Sequence, residues 1–238
     1  MASRQEEKAQ RRREREAREE AERKSAARRK RLQYVFGGLL AVALVGGVVA
    51  FAVLGLGGGD GGSEPGQPAD PSEASADVTL PEQKTGDLKA AAKTAGCKVS
   101  SPEIPGSEHE TKDFTAADYQ TNPPTSGSHN PDWYEDGIYA PGDTPRLGML
   151  VHTLEHGRID VQYKPGTPQP EVLKLEALLG ESEGYHMLLF QNTTGMDAAV
   201  AATAWGQSVT CPAMSDDVFD VIRNFRASYI DKGPESVP

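Results

Sequence analysis

Residues 34–56, YVFGGLLAVALVGGVVAFAVLGL, run for 23 positions without a charge, from Tyr34 to Leu56. No other stretch constrains the chain as strongly. At about 1.5 Å of rise per residue, such a helix crosses a hydrocarbon core of roughly 30 Å. The charge on either side of it is unequal. Residues 1–32 carry 13 Lys/Arg against 7 Asp/Glu, while the rest of the chain carries 12 against 28. A cleaved signal peptide fits poorly: the run exceeds an h-region of roughly 7–15 residues, and no A-x-A-like site closes it. The basic flank on the N-terminal side predicts a single-pass protein with its N-terminus in the cytoplasm. Everything after Leu56 is then expected outside the cell membrane.

Four segments follow. Residues 1–32 form a basic cytoplasmic arm, a solvated helix or disordered tail suited to touching anionic lipid. Residues 33–56 are the transmembrane helix. Residues 57–78, GGGDGGSEPGQPADPSEASADV, cannot bury a core and read as a flexible linker. Residues 79–238 are long enough for one compact extracytoplasmic domain. The acidity of that exterior part argues against nucleic acid as its partner.

Within the domain, Ser215 followed by Asp216 and Asp217 marks a helix start, with acids at the positive end of the dipole. Val218, Val221, Ile222, Phe225 and Tyr229 recur at helical spacing up to the stop at Gly233-Pro234. Pro170 opens a second helix ending near Gly180. A weaker helical pattern covers residues 84–96. Residues 186–191 and 199–209 read as strands. Met149 and Val151, then Ile159, Val161 and Tyr163, alternate with period two, which predicts a β-hairpin over 149–164 with Glu155, His156 and Gly157 in its turn. The expected fold is therefore α+β: a mainly antiparallel sheet with the helices of residues 170–180 and 215–230 packed on one face.

The two cysteines, Cys97 and Cys211, both fall in the exterior domain. An oxidising compartment favours a disulfide between them over a redox pair or thiolate ligands, since no C-x-x-C brings them together in sequence.

The histidines are the chemical signal. His152, Glu155 and His156 stand in the order H-x-x-E-H, the spacing of one zinc-peptidase class. That chemistry needs a helix, and a distant acid as third ligand, and neither is marked in the sequence. In an extended strand His152 and His156 would lie about 13 Å apart, too far to share an ion. A turn at residues 155–157 folds His156 back, and His129 in the TSGSHNP turn is the third candidate. The ligand set expected is His129, His152 and His156, with Glu155 as a further ligand or as the carboxylate orienting an imidazole, around Cu or Zn. On spacing alone, His152 packing on the sheet and the rest decorating a turn explains the same residues. His109 and His186 read as incidental.

The segments NPPTSGSHNPDWYEDGIY and LVHTLEHGRIDVQY resemble the domain-of-unknown-function family numbered 3105, found in actinobacterial membrane-anchored proteins. The resemblance rests on Pro123, Pro124, Thr125, Ser126, Gly127 and His129, and on Val151, His152, Leu154, Glu155, His156, Gly157 and Ile159. Ser128 departs from it, standing where the family often has proline. The resemblance implies no activity. It does imply that His129 and the HTLEHG segment belong to one shared design, which favours a histidine-lined metal or small-ligand site.

Two other function classes stay open. One is a structural or partner-binding envelope ectodomain presenting Trp133, Tyr134 and Tyr139, since the loop over residues 113–145 is long, irregular and aromatic. The other is a metal-dependent hydrolase with Glu155 as base, which requires an open coordination position. No residue is assigned a catalytic role.

Overall fold

The computed structural model describes residues 68–71 and 78–235. The basic arm, the expected transmembrane run at 34–56 and most of the linker lie outside the described residues. Among those described, no helix is long and apolar enough to cross a membrane.

The domain is α+β. Helix α1 (Leu88–Ala95) starts where the Asp87 carboxylate accepts from the Ala90 amide at 2.7 Å, and ends on Gly96. Then come β1 (Lys98–Ser100), a short 3₁₀ turn (Ala116–Asp118), β2 (Gly137–Ile138), α2 (Leu147–Glu155) and β3 (Ile159–Tyr163). The chain closes with α3 (Gln169–Gly180), β4 (Met187–Gln191), β5 (Val200–Ala204), β6 (Gln207–Cys211) and α4 (Asp216–Tyr229). The strands form one six-stranded sheet in the order β1-β6-β5-β3-β4-β2.

That sheet is mixed, not mainly antiparallel. β1–β6, β6–β5 and β5–β3 pair antiparallel, whereas β3–β4 and β4–β2 pair parallel. The reason is connectivity: α3 lies between β3 and β4, and a helical crossover returns the chain in the same direction. The long strand expected over residues 199–209 is a hairpin, broken at Trp205-Gly206, where Gly206 takes φ 65°. A glycine at that conformation is the residue a tight turn favours.

The largest departure from the sequence reading is at residues 149–164. These form no hairpin; they are helix α2, a turn on Gly157 at φ 81°, and strand β3. The apolar positions Leu147, Leu150, Val151 and Leu154 fall at i, i+3, i+4 and i+7, which is helical spacing. The apparent alternation arose because Met149 and Val151 happen to lie in phase with the strand that follows.

Two layers cover the sheet. Ile159, Val161, Tyr163, Met187, Leu189, Val200, Ala202, Val209 and Cys211 share one face, and they pack with residues of α1, α3 and α4. Leu188 and Phe190 point the other way and pack with Leu150 of α2 and with Tyr139. The helices expected at 170–180 and 215–230 thus do share a face, but α2 occupies the opposite one. With both faces covered, every residue of β3 and β5 is buried, and their polar members, Asp160, Gln162 and Thr203, lie on the α2 side.

Cys97, one residue past the cap of α1, is bonded to Cys211 at the end of β6. Closing a loop across a separation of 114 residues restricts the unfolded chain by about 4.7 kcal/mol in the entropic account. α4 also grips the segment before α1: Asp220 accepts from the Lys84 amide at 2.8 Å, and the Asn224 amide donates to the Thr85 carbonyl at 2.9 Å. At the other edge, within the expected linker, Ala69 exchanges two backbone hydrogen bonds with Ile138 of β2, at 2.8 and 3.1 Å. An edge strand paired in this way presents fewer free backbone groups.

Asp160 offers a test of this two-sided burial. Burial pushes its carboxyl well above the ordinary value of 3.8, and the Thr153 hydroxyl donates to it at 3.1 Å. The folded chain therefore keeps a proton that the unfolded chain releases above about pH 4, so this group's contribution to stability declines as pH rises towards the raised value. Asp160→Asn removes the titration. Its melting temperature should exceed that of the wild type by a few degrees, about 2–4 °C per kcal/mol, near pH 7.5. The gap should shrink at pH 5; a gap of equal size at both values would contradict a proton held at Asp160.

Candidate metal centre

Helix α2 supplies two of the site's side chains. His152 and Glu155 stand three residues apart and so share a face of the helix. Seven of its nine residues are buried, which makes both polar groups interior ones. The loop ahead of it supplies two more. His109 and His129 face each other across an isolated parallel bridge, in which the Glu110 amide donates to the His129 carbonyl at 2.7 Å and the His129 amide to the Glu108 carbonyl at 3.0 Å. The loop is then clamped to the helix. Asn130 donates its amide to the Gly148 carbonyl at 3.3 Å, and its side chain donates to the carbonyls of Glu110 and Lys112 at 3.1 and 2.9 Å.

The three imidazoles form a nearly equilateral triangle. Ring centres lie 4.8 Å apart for His109–His129, 4.7 Å for His109–His152 and 4.8 Å for His129–His152. Glu155 closes it: one carboxylate oxygen is 3.0 Å from His129 Nε2 and 3.5 Å from His109 Nε2. One ligand atom from each of the four residues lies within 4.8 Å of the others.

The hydrogen bonds around the triangle fix which nitrogens are free. His129 Nδ1 lies 2.8 Å from the Gly127 carbonyl, and His152 Nδ1 lies 2.8 Å from the Asn130 carbonyl. A carbonyl only accepts, so each Nδ1 carries the hydrogen, and a neutral ring at either position would turn its Nε2 lone pair inward. His129 Nε2 and Glu155 Oε2 are buried and have no hydrogen-bond partner. Without a proton on His129 Nε2, two acceptors would face each other at 3.0 Å. A proton relieves one such contact; a cation relieves all of them at once. Ligands about 2.0–2.1 Å from one ion stand about 3.3 Å from each other in a tetrahedron, close to the 3.0 and 3.5 Å found here. Histidines anchored through the far nitrogen to a backbone carbonyl are the usual arrangement behind a metal ligand. Burial is the main reason the pKa of His152 is lowered, which keeps its ring neutral and able to ligate.

The sequence reading and the site overlap in part. His129, His152 and Glu155 come together as expected. His156 does not join them: it belongs to a neighbouring group with His152 and Glu235, its Nε2 being 3.3 Å from the Glu235 carboxylate. Burial pushes its pKa down to about 4, with the charges of His152 and Arg158 adding to the effect. His109, read as incidental, is a member of the centre. Its only sequence signal is that it lies in a charged segment with no period, and nothing marks its pairing with residue 129. Glu235, beyond the last helix, was equally invisible. His186 stays away: its ring stacks on Tyr185 at 4.0 Å and its Nδ1 is 2.6 Å from the Asp231 carboxylate.

Aromatic side chains wall the centre. Trp205, at the tip of the β5–β6 hairpin, meets His129 edge-on with ring centres 5.8 Å apart, and Trp133 contacts His156 and His152 at 4.8 and 5.6 Å. Of the three aromatics expected on a contact surface, Trp133 is exposed. Tyr139 is buried, its hydroxyl donating to the Glu135 carbonyl at 2.7 Å, and Tyr134 packs against it. The centre is open on one side, through His109, whose side chain is 42 % exposed against 0 % for His129.

The family model described as "Protein of unknown function (DUF3105)" matches residues 110–237. The chain belongs to the DUF3105 family. No curated protein and no solved structure matches it. The DUF3105 match contains His129, His152, Glu155, His156 and Glu235, and begins one residue after His109.

Gly148 controls how closely loop and helix approach. A Cβ there would collide with the Asn130 side chain and the Phe114 ring. Gly148→Ala should cost about 1–3 kcal/mol of stability, the usual range for overpacking. Because Asn130 also anchors His152, the same change should weaken any cation binding at the centre. Denaturant unfolding and a metal titration of the one variant measure both effects, and a neutral result in either would detach the loop from the site.

Proposed function

We propose that this protein is an envelope-displayed transition-metal-binding module, with His109, His129, His152 and Glu155 holding one Zn(II) or Cu(II) ion. The observation that carries this reading is the pair of partnerless buried acceptors, His129 Nε2 and Glu155 Oε2, 3.0 Å apart beneath a triangle of imidazoles. Three imidazoles and a carboxylate suit borderline divalent ions and exclude none of the first-row metals on chemistry alone, so geometry and supply select between them. In this reading the uncharged run at residues 34–56 tethers the domain outside the membrane with its N-terminus inside.

The helical setting of H-x-x-E-H lends some support to a metal-dependent hydrolase, since that motif acts from a helix. The orientation of Glu155 favours binding instead. A base must face a water held by the ion, whereas this carboxylate is directed at His129 and His109.

The full chain, purified in detergent and stripped of metal, should take up one equivalent of Zn(II) or Cu(II) in a calorimetric titration. His152→Ala and Glu155→Gln should each lower the affinity about 100-fold or more, the upper end of what a change around a metal site costs. His186→Ala should leave it unchanged. Binding at a hundredfold excess over Kd should also stabilise the fold by about 2.7 kcal/mol. A stripped wild-type chain that takes up neither metal would end this reading.

A further inference from the structure

His152 belongs to two donor sets. Its Nδ1 is committed to the Asn130 carbonyl, so Nε2 is its one free ligand atom. One set adds His109, His129 and Glu155; the other adds His156 and Glu235. The centre of its ring is 4.7 and 4.8 Å from those of His109 and His129, and 4.4 Å from that of His156. One imidazole lone pair serves one ion, so the two sets cannot both use His152 at the same time.

The second set is built, not scattered. The Glu235 amide donates to the Glu155 carbonyl at 3.1 Å, which pins the C-terminal tail across the end of α2. The His156 side chain is 2 % exposed, and its Nδ1 is buried without a hydrogen-bond partner. Both sit at the C-terminal end of a helix, where the macrodipole favours positive charge. The cation nearest in chain, Arg158, is tied to Asp136 through a 2.8 Å contact. The two sets also differ in access: the Glu235 side chain is 48 % exposed, that of Glu155 5 %.

We propose that His156 and Glu235 form an outer cation station, and that His152 is a pivot ligand which hands the ion from this station to the buried centre. A divalent ion first meets Glu235 at the surface, gains His156 and His152, and moves inward when His129 and Glu155 replace the outer pair around the same His152 nitrogen. No bond other than metal–ligand bonds forms or breaks, and the ion keeps its charge. The inference rests on the centre proposed above, and extends it from a place of storage to a route of loading and release.

The test separates the two claims. Glu235→Gln alters an exposed side chain and leaves the inner ligands untouched. With Cu(II) or Zn(II) added to the stripped full chain in a stopped-flow experiment, this variant should reach the wild-type stoichiometry and affinity. Its uptake should be about tenfold slower, the lower end of what a change around a metal site costs. Unchanged uptake would mean that Glu235 and His156 are only a hydrogen-bonded pair, and would overturn the station while leaving the centre in place. As a second measurement, His109→Ala combined with Glu155→Gln disables the inner set. That variant should still bind one equivalent, more weakly, and should lose it on adding His156→Ala. Two equivalents bound by the wild type would show that His152 is not shared. No uptake by the wild type would fail the centre itself, and the station with it.

Discussion

A buried carboxylate oxygen and a buried imidazole nitrogen, neither with a hydrogen-bond partner elsewhere, meet 3.0 Å apart. Most of the surrounding architecture bears on that contact. Uncompensated, two buried acceptors cost several kcal/mol, so the chain must either supply a proton or cation there or keep the groups apart by force. It brings them together instead. The bridge between His109 and His129, the clamp of Asn130 on Gly148, and the carbonyls at Gly127 and Asn130 all tighten the cluster. A loop ordered this heavily by backbone bonds resembles a preformed ligand shell more than a covering for a sheet.

The sheet divides the work. One face, packed with α1, α3 and α4 and crossed by the Cys97–Cys211 bond, is almost wholly apolar. The other carries Asp160, Gln162 and Thr203 under α2, with the Asn192 side chain donating to Gln162 at 2.8 Å. Stability can come mainly from the first face, which leaves the second to tolerate buried polar groups for another purpose. Such groups are retained where satisfying them is useful, because an apolar layer is usually no less stable.

What the sequence revealed follows the range of each interaction. α3 and α4 were legible because caps, dipole-matched charges and periodicity are all local, and the disulfide because the chain has two cysteines and both fall in one domain. α2 was not, although Leu147, Leu150, Val151 and Leu154 carry its period. A helix buried on nearly every side lacks the polar stripe that distinguishes it, and β3 behind it continued a false alternation. The β5–β6 turn was announced by Gly206 but hidden within a run of strand-forming residues. His109 and Glu235 reach the site through single backbone pairings to residues 129 and 155, and pairings that distant leave no mark on local composition.

The H-x-x-E-H spacing gains a sharper meaning from this. On an ideal helix, residues i, i+3 and i+4 crowd one face, and in the peptidase motif the two histidines would share one ion with the glutamate beside it as base. Here the regular helix ends at Glu155, and His156 serves as its C-cap with φ −79° and ψ 9°. The first two side chains keep the shared face and meet His129 and His109. The third stays beside His152, with ring centres 4.4 Å apart, but its Nε2 meets Glu235 on the tail that crosses the helix end. Residue spacing therefore places three candidate ligands within one turn, and the partners that reach them from outside the helix, His109 and His129 for one set and Glu235 for the other, divide them between two donor sets. The motif is thereby divided between two donor sets, with His152 common to both.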